Sequence, residues 1–326
     1  MTPRAPACIA ALARAAGALA LALALAGCAL GPFGAAGHAP KAAPRPLPAP
    51  GEARAQPPSA ESEGMRAYYT QVAAQLAGQG LMRQDIAPRD APFGTRQLVQ
   101  NFIRIALYDE YTHQGGALVA RESASRLRRW EAPVRMSVDF GASIPLDQRA
   151  RDSADISAYA GRLARASKHP VQVVPRGGNF AVLIVNEDER RALAPRLRAL
   201  VPGIDATSVR AITDLSPATF CVVFAFSEGN SASYSRAVAV IRGEHPDRLR
   251  LSCLHEELAQ GMGLANDSPR ARPSIFNDDE EFALLTRHDE LLLQILYDPR
   301  LRPGMTEAEA RPIIETIAAE LLGGES

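Results

Sequence analysis

One short stretch of the chain carries the side chains that could do chemistry: His255, Glu256, Glu257, Gln260, Asn266 and Asp267. The first four lie in Leu251-Ser-Cys-Leu-His-Glu-Glu-Leu-Ala-Gln-Gly-Met-Gly263, which reads as a helix over Arg250 to Gly263. Residues four apart share a helix face, so Glu256 and Gln260 point to a common site. Gly263 can adopt the positive φ that ends a helix, folding Asn266 or Asp267 back towards that face. The binding set expected on this basis is Glu256, Gln260, Asn266 and Asp267. A zinc-peptidase pair of histidines starting at His255 is ruled out, because the position four residues on is Ala259. Glu256, Glu257, Asp267 and the Asn277-Asp278-Asp279 cluster offer the oxygens calcium accepts, although not at EF-hand spacing. His255 reads as an exposed helix residue beside the site and as a substitute ligand, giving Glu256, His255 and Asp267 as the metal set. The chain has no G-x-S-x-G elbow, no phosphate-binding P-loop and no C-x-x-C pair.

Such a helix needs a sheet to hold it. Pro133–Phe140 alternates apolar and polar residues, the mark of a half-buried strand. Ile156, Tyr159, Ala160, Leu163 and Ala164 form a helical stripe that Asp152 or Ser153 could cap. Val171–Val174 and Phe180–Asn186 are β-branched runs separated by Gly177-Gly178, and a Leu-rich helical stretch follows, with Pro195 setting its start or breaking it. Phe220–Phe226 and Arg236–Arg242 read as two buried strands joined by a polar turn. Before the sheet, helices are expected around Met65–Leu81 and over Arg96–Tyr111, the latter with Thr95 as N-cap. Asp85–Phe93, with two prolines, reads as a surface linker. Trp130 is expected to anchor the core or a domain junction, Asp289 to cap the last helix or bond back to the 250–263 helix, and Thr306 with Glu309 to form a capping box. Strands alternating with helices indicate an α+β or α/β sheet domain, read here as α+β with a mixed sheet.

Glu256, Glu257, Gln260, Gly263 and Asn266 occupy the offsets of the metzincin pattern H-E-x-x-H-x-x-G-x-x-H, which this stretch resembles. Pro273-Ser274-Ile275-Phe276 is similar to the turn those peptidases place beneath their metal, with phenylalanine for methionine. Leu285-Thr286, Asp289 and Leu296-Tyr297 are similar to their C-terminal helix, and the preceding strands and helix come in the metzincin order. More specifically, Cys253-x-x-Glu256-Glu257-x-x-Gln260-x-x-Gly263-Leu264-x-Asn266-Asp267, with Pro273–Asp278 and Leu296–Met305, resembles the proteobacterial lipoprotein family known as domain of unknown function 2927, over residues 80–315. The resemblance implies a zincin-like fold with a long motif helix and a C-terminal helix, preceded by N-terminal helices. It also places Glu257 where a metzincin keeps its general base. All three histidine positions are substituted, by Glu256, Gln260 and Asn266, and an amide oxygen is a poor zinc ligand. Without a Lewis acid, a water beside Glu257 keeps a pKa near that of bulk water. A conventional zinc peptidase is therefore not expected. No cofactor is expected, with calcium or zinc as the ions to consider.

The N-terminus speaks to location. Arg4 and Arg14 precede an Ala/Leu run from Ala15 to Ala26, and Leu25-Ala26-Gly27-Cys28 resembles a bacterial lipobox. Residues 1–27 are read as a lipoprotein signal peptide and Cys28 as the lipidated residue, anchoring the chain to a membrane. Ala29, not Asp, follows, which implies the outer membrane, facing the periplasm. Residues 28–60 are Pro- and Ala-rich, a disordered tether; 61–125 are an N-terminal helical segment and 126–326 the zincin-like domain. The 326 residues carry 36 Lys+Arg and 36 Asp+Glu, a balance that argues against nucleic acid as partner. Cys221 and Cys253 remain once Cys8 leaves with the signal and Cys28 takes lipid, and an oxidising compartment favours their pairing. The function expected is non-catalytic binding of a peptide or envelope component in a degenerate peptidase cleft. The alternatives are an atypical metal-dependent hydrolase using Glu257 as general base, and a structural scaffold lipoprotein.

Overall fold

The computed structural model describes residues 57–114, 117–277 and 279–323. The signal segment 1–27, Cys28 and the tether as far as residue 56 lie outside the described residues. The centre is a mixed sheet. The strands are β1 (Tyr108–Gln114), β2 (Ala117–Ala124), β3 (Arg129–Trp130), β4 (Val134–Phe140), β5 (Val171–Val173), β6 (Phe180–Val185), β7 (Cys221–Ser227) and β8 (Ser233–Arg242). β4, β5, β6 and β8 run parallel in the order β5-β4-β6-β8, β3 adds a short parallel pairing to the start of β8, and β7 pairs antiparallel with β8. The helices are α1 (Ala60–Gly78), α2 (Thr95–Ala106), α3 (Leu146–Ser167), α4 (Glu187–Arg191), α5 (Ala194–Leu200), α6 (Ala206–Thr213), α7 (Asp247–Gln260), α8 (Arg287–Leu296) and α9 (Glu307–Gly323).

The central strands read as unbroken apolar runs because both their faces are covered. In β6 every residue from Phe180 to Val185 is buried. Phe180, Val182 and Ile184 pack with α2, α3, α7, α8 and α9, while Ala181, Leu183 and Val185 pack with α5 and α6. β8 divides in the same way, Ala237, Ala239 and Ile241 to the first layer and Val238 and Val240 to the second. The period of two along each strand thus builds a three-layer domain. β1 and β2 form a separate antiparallel hairpin.

Several local expectations change. α2 is capped by Gly94, whose N–H donates to Gln97 Oε1 at 3.0 Å, not by Thr95, and the helix stops at Ala106 because the chain enters β1. α3 begins at Leu146, well before Asp152 and Ser153, so neither caps it; Asp152 is buried and accepts from Arg250 Nε at 2.8 Å. β7 is not a buried strand: Val222 through Ser227 are half-exposed, since β7 is the outermost strand on that side. Asp289 caps α8 with Thr286 and does not bond back to α7. Trp130 is buried in the core, and Thr306 and Glu309 form the capping box of α9.

At the carboxyl ends of β6 and β8 a buried charge network ties the layers together. Glu187 accepts from Arg190 at 2.5 Å, Arg242 at 2.5 Å and Arg191 at 3.0 Å. Its own N–H donates to Glu244 Oε1, which also accepts the Ser62 hydroxyl of α1. Burial works against ionising Glu187, but the arginines outweigh it and hold the carboxyl down at about 2, against an ordinary value of 4.5. A carboxyl depressed on folding stabilises fully above its unfolded value, and that stabilisation is lost as pH falls from about 4.5 to about 2. Removing one partner of a buried ionic group leaves uncompensated charge, at a cost of about 3–5 kcal/mol. Glu187→Gln is therefore expected to lower stability by that amount at neutral pH and to flatten the decline between pH 4.5 and 2. Urea unfolding across that pH range checks both.

Candidate functional site

α7 lies against the sheet beside β7, and between them opens a cleft of about 690 Å³. Almost the whole helix is buried despite its polar residues, including Arg250, Ser252, His255, Glu257 and Gln260. Two attachments fix it. At one end the Cys221–Cys253 disulfide joins the start of β7 to the middle of α7, with Cα atoms 5.9 Å apart. Closing a loop of 32 residues contributes about 3–4 kcal/mol in the chain-entropy account.

At the other end the helix finishes on small residues. A Cβ at Gly261 would stand 2.4 Å from the Phe180 ring, so only glycine lets the helix end reach β6. The carbonyls left open there are satisfied by side chains: Trp130 Nε1 donates to Gly261 O at 2.8 Å and Tyr297 Oη to Met262 O at 2.9 Å. Gly263 takes φ +122°, and a Cβ there would lie 2.4 Å from Arg128 O. The turn it makes returns the chain along α7, and Asp267 Oδ1 accepts from Gln260 Nε2 at 3.1 Å.

Glu256, Glu257, Gln260 and Asp267 all face the cleft. Asn266 does not: its amide Nδ2 donates to Arg104 O at 2.8 Å and its backbone N–H to Ile105 O, stitching the turn to the end of α2. His255 is not exposed. It is buried on the far side of α7, stacked on Tyr159 with ring centroids 3.9 Å apart. Its Nδ1 accepts the Leu285 N–H at 3.1 Å. Burial, with a smaller contribution from Arg162, pushes the imidazole down to about 3, so it is neutral at physiological pH. The expected set Glu256, His255 and Asp267 is therefore not brought together. Asn277 lines the cleft, Asp279 Oδ1 accepts from Glu281 N–H in its own loop, and Asp278 lies outside the described residues.

The Pro273–Phe276 turn sits on Asp289. Asp289 Oδ1 accepts the Ser274 hydroxyl at 2.5 Å and Oδ2 accepts the Ile275 N–H at 3.1 Å, while Thr286 N–H reaches Oδ2 at 2.8 Å. One buried carboxylate thus caps α8 and shapes the turn under the cleft, whose wall includes Ile275. The donors do not fit the zinc of the resembled peptidases. Gln260 uses its amide on Asp267, Asn266 faces α2, and the His255 imidazole is engaged behind the helix.

The opposite wall is β7 itself. Cys221, Val223 and Ala225 pack towards the α7 layer, and Val222, Phe224 and Phe226 towards α5 and α6. Among the described strands β7 pairs with β8 alone. Sequence reasoning missed Asp109, Arg128 and Glu280, which also face the cleft. Asp109 and Arg128 form an ion pair at the start of the hairpin, whose β1 touches α2 and whose β2 touches α6. Gly115-Gly116 between two runs containing Tyr, Thr and Val was the available hairpin signal.

The molecule is thus a mixed α/β domain with a cleft between an edge strand and a clamped helix. The family model described as Protein of unknown function (DUF2927) matches residues 95–316, and the chain belongs to that family. The matched span starts at α2 and ends within α9, so it contains the sheet and the cleft but not α1. Neither the curated proteins nor the solved structures hold a match to the chain.

Gly263→Ala is expected to cost about 2–4 kcal/mol, because it combines a strained φ with a backbone clash. Gly64→Ala, in open space on α1, should be neutral or stabilise by up to about 1 kcal/mol. Denaturant midpoints of the two variants check the contrast.

Proposed function

We propose that this chain is a lipid-anchored protein of the bacterial envelope, held at the outer membrane through Cys28, whose cleft binds an extended peptide segment without cleaving it by zinc chemistry. The observation that carries the reading is β7. It is an edge strand of sequence Cys-Val-Val-Phe-Ala-Phe-Ser, with neither charge nor proline along it and with its register against β8 regular from Cys221 to Phe226, shifting only at Ser227. Natural edge strands are normally protected by lysine, proline, a bulge or a cover, because their open N–H and C=O groups recruit other strands. An apolar edge set above a built cleft suits strand addition, in which backbone hydrogen bonds give affinity and flanking pockets give selectivity.

Other features agree. The Glu256–Gly263 spacing lies on the helix flanking this antiparallel edge strand, as the resemblance to metzincins implies for a substrate cleft. The donor set does not suit zinc, so what remains of such an architecture is its peptide-binding half. The Cys221–Cys253 bond suits an oxidising compartment such as the periplasm. Carboxylates and an edge strand offer nothing to a phosphate backbone, in keeping with no nucleic-acid partner.

The test uses the full chain and a displayed library of short unstructured peptides. Binders should be found, and N-methylation at alternate backbone positions on one edge should weaken each by at least about tenfold, one hydrogen bond to β7 being worth about 1 kcal/mol. Absence of binders, or binding indifferent to N-methylation of either edge, contradicts the reading.

A further inference from the structure

The cleft is far more acidic than the chain that builds it. Lys+Arg and Asp+Glu balance at 36 each overall. The described residues facing the cleft, in contrast, include Asp109, Asp205, Glu256, Glu257, Asp267 and Glu280, with Arg128 the one base among them. These carboxylates come from separate elements: the start of β1, the N-cap of α6, α7, the turn after α7 and the loop before α8. They line the cleft rather than gather at a point. Each is engaged within the chain, Asp205 with the first turn of α6 and Asp109 with Arg128 for example. What they impose is a field, not a set of bare charges.

That field lies on both sides of the edge strand. A strand added to β7 would project alternate side chains to opposite faces of the sheet, as β7 does. On one face they meet the α7 side, with Glu256, Glu257 and Asp267; on the other they meet the α6 side, with Asp205. An acidic cleft with low-dielectric walls raises the local concentration of cations and disfavours anions. We infer that the segment bound along β7 is basic, an extended peptide presenting Lys or Arg side chains. This inference rests on the strand-addition reading and adds the charge of the ligand to it. The site is defined by the edge strand and the cleft; the carboxylates select what fits.

Three matched peptides of one alternating Val/Ser frame, carrying three Lys, three Gln or three Glu at the Ser positions, test this on the full chain. The Lys peptide should bind about tenfold more tightly than the Gln peptide, the Glu peptide should bind least, and the preference should shrink as salt rises. Glu256→Gln with Asp267→Asn should narrow the Lys-over-Gln preference severalfold, whereas Glu315→Gln with Glu320→Gln on the outer face of α9 should leave it unchanged. Equal binding of the Lys and Gln peptides overturns the charge assignment and leaves strand addition standing. A preference that survives the cleft double variant, or falls equally in the α9 one, also overturns it, by making the attraction general to the surface. Failure of all three peptides to bind overturns both readings.

Discussion

The cleft exists because α7 is pinned to the sheet at two points and left open between them. A disulfide fixes the start of β7 to the helix, and Gly261 and Gly263 let the helix end press against Phe180 and the Arg128 carbonyl. A side chain at either glycine would push the helix away from the sheet by overlapping atoms that have nowhere to go. The distance between β7 and α7, and so the width of the cleft, follows from these contacts.

The same pinning explains why so polar a helix can be buried. Arg250 meets Asp152, His255 is stacked on Tyr159 and bonded to the Leu285 N–H, and Gln260 bonds to Asp267. These buried groups meet partners on neighbouring elements, which makes α7 a hub joining α3, the 264–286 loop and the sheet. Asn266 bonds the turn after α7 to α2, and Gln260 braces the returning chain.

Much of this was legible from residue order alone. The apolar runs of β6 and β8, the Thr306–Glu309 capping box and the Gly263 turn are local signals, and each has a short-range cause: alternation, side-chain reach or a required positive φ. The pairing of Cys221 with Cys253 followed from compartment reasoning. The errors are of another kind. His255 looked exposed because it neighbours two glutamates, yet helix phase turns it to the opposite face, where burial is set by Tyr159 and the 285 loop, far away in sequence. β7 looked buried because its residues are apolar. Composition cannot distinguish a central strand from an apolar edge strand; only the sheet order does that. Asn266 kept its spacing while its side chain found a partner 162 residues away.

Among the described strands β7 pairs with β8 alone, which leaves its other edge to the cleft. Amide hydrogen exchange of the unliganded full chain measures this residue by residue. Alternation is expected along Cys221–Phe226, ahead of the register shift at Ser227: every second amide, bonded to β8, exchanges slowly, and those between, facing the cleft, exchange fast. Uniform protection along these residues would mean that the edge is already covered, and would rule out strand addition to β7.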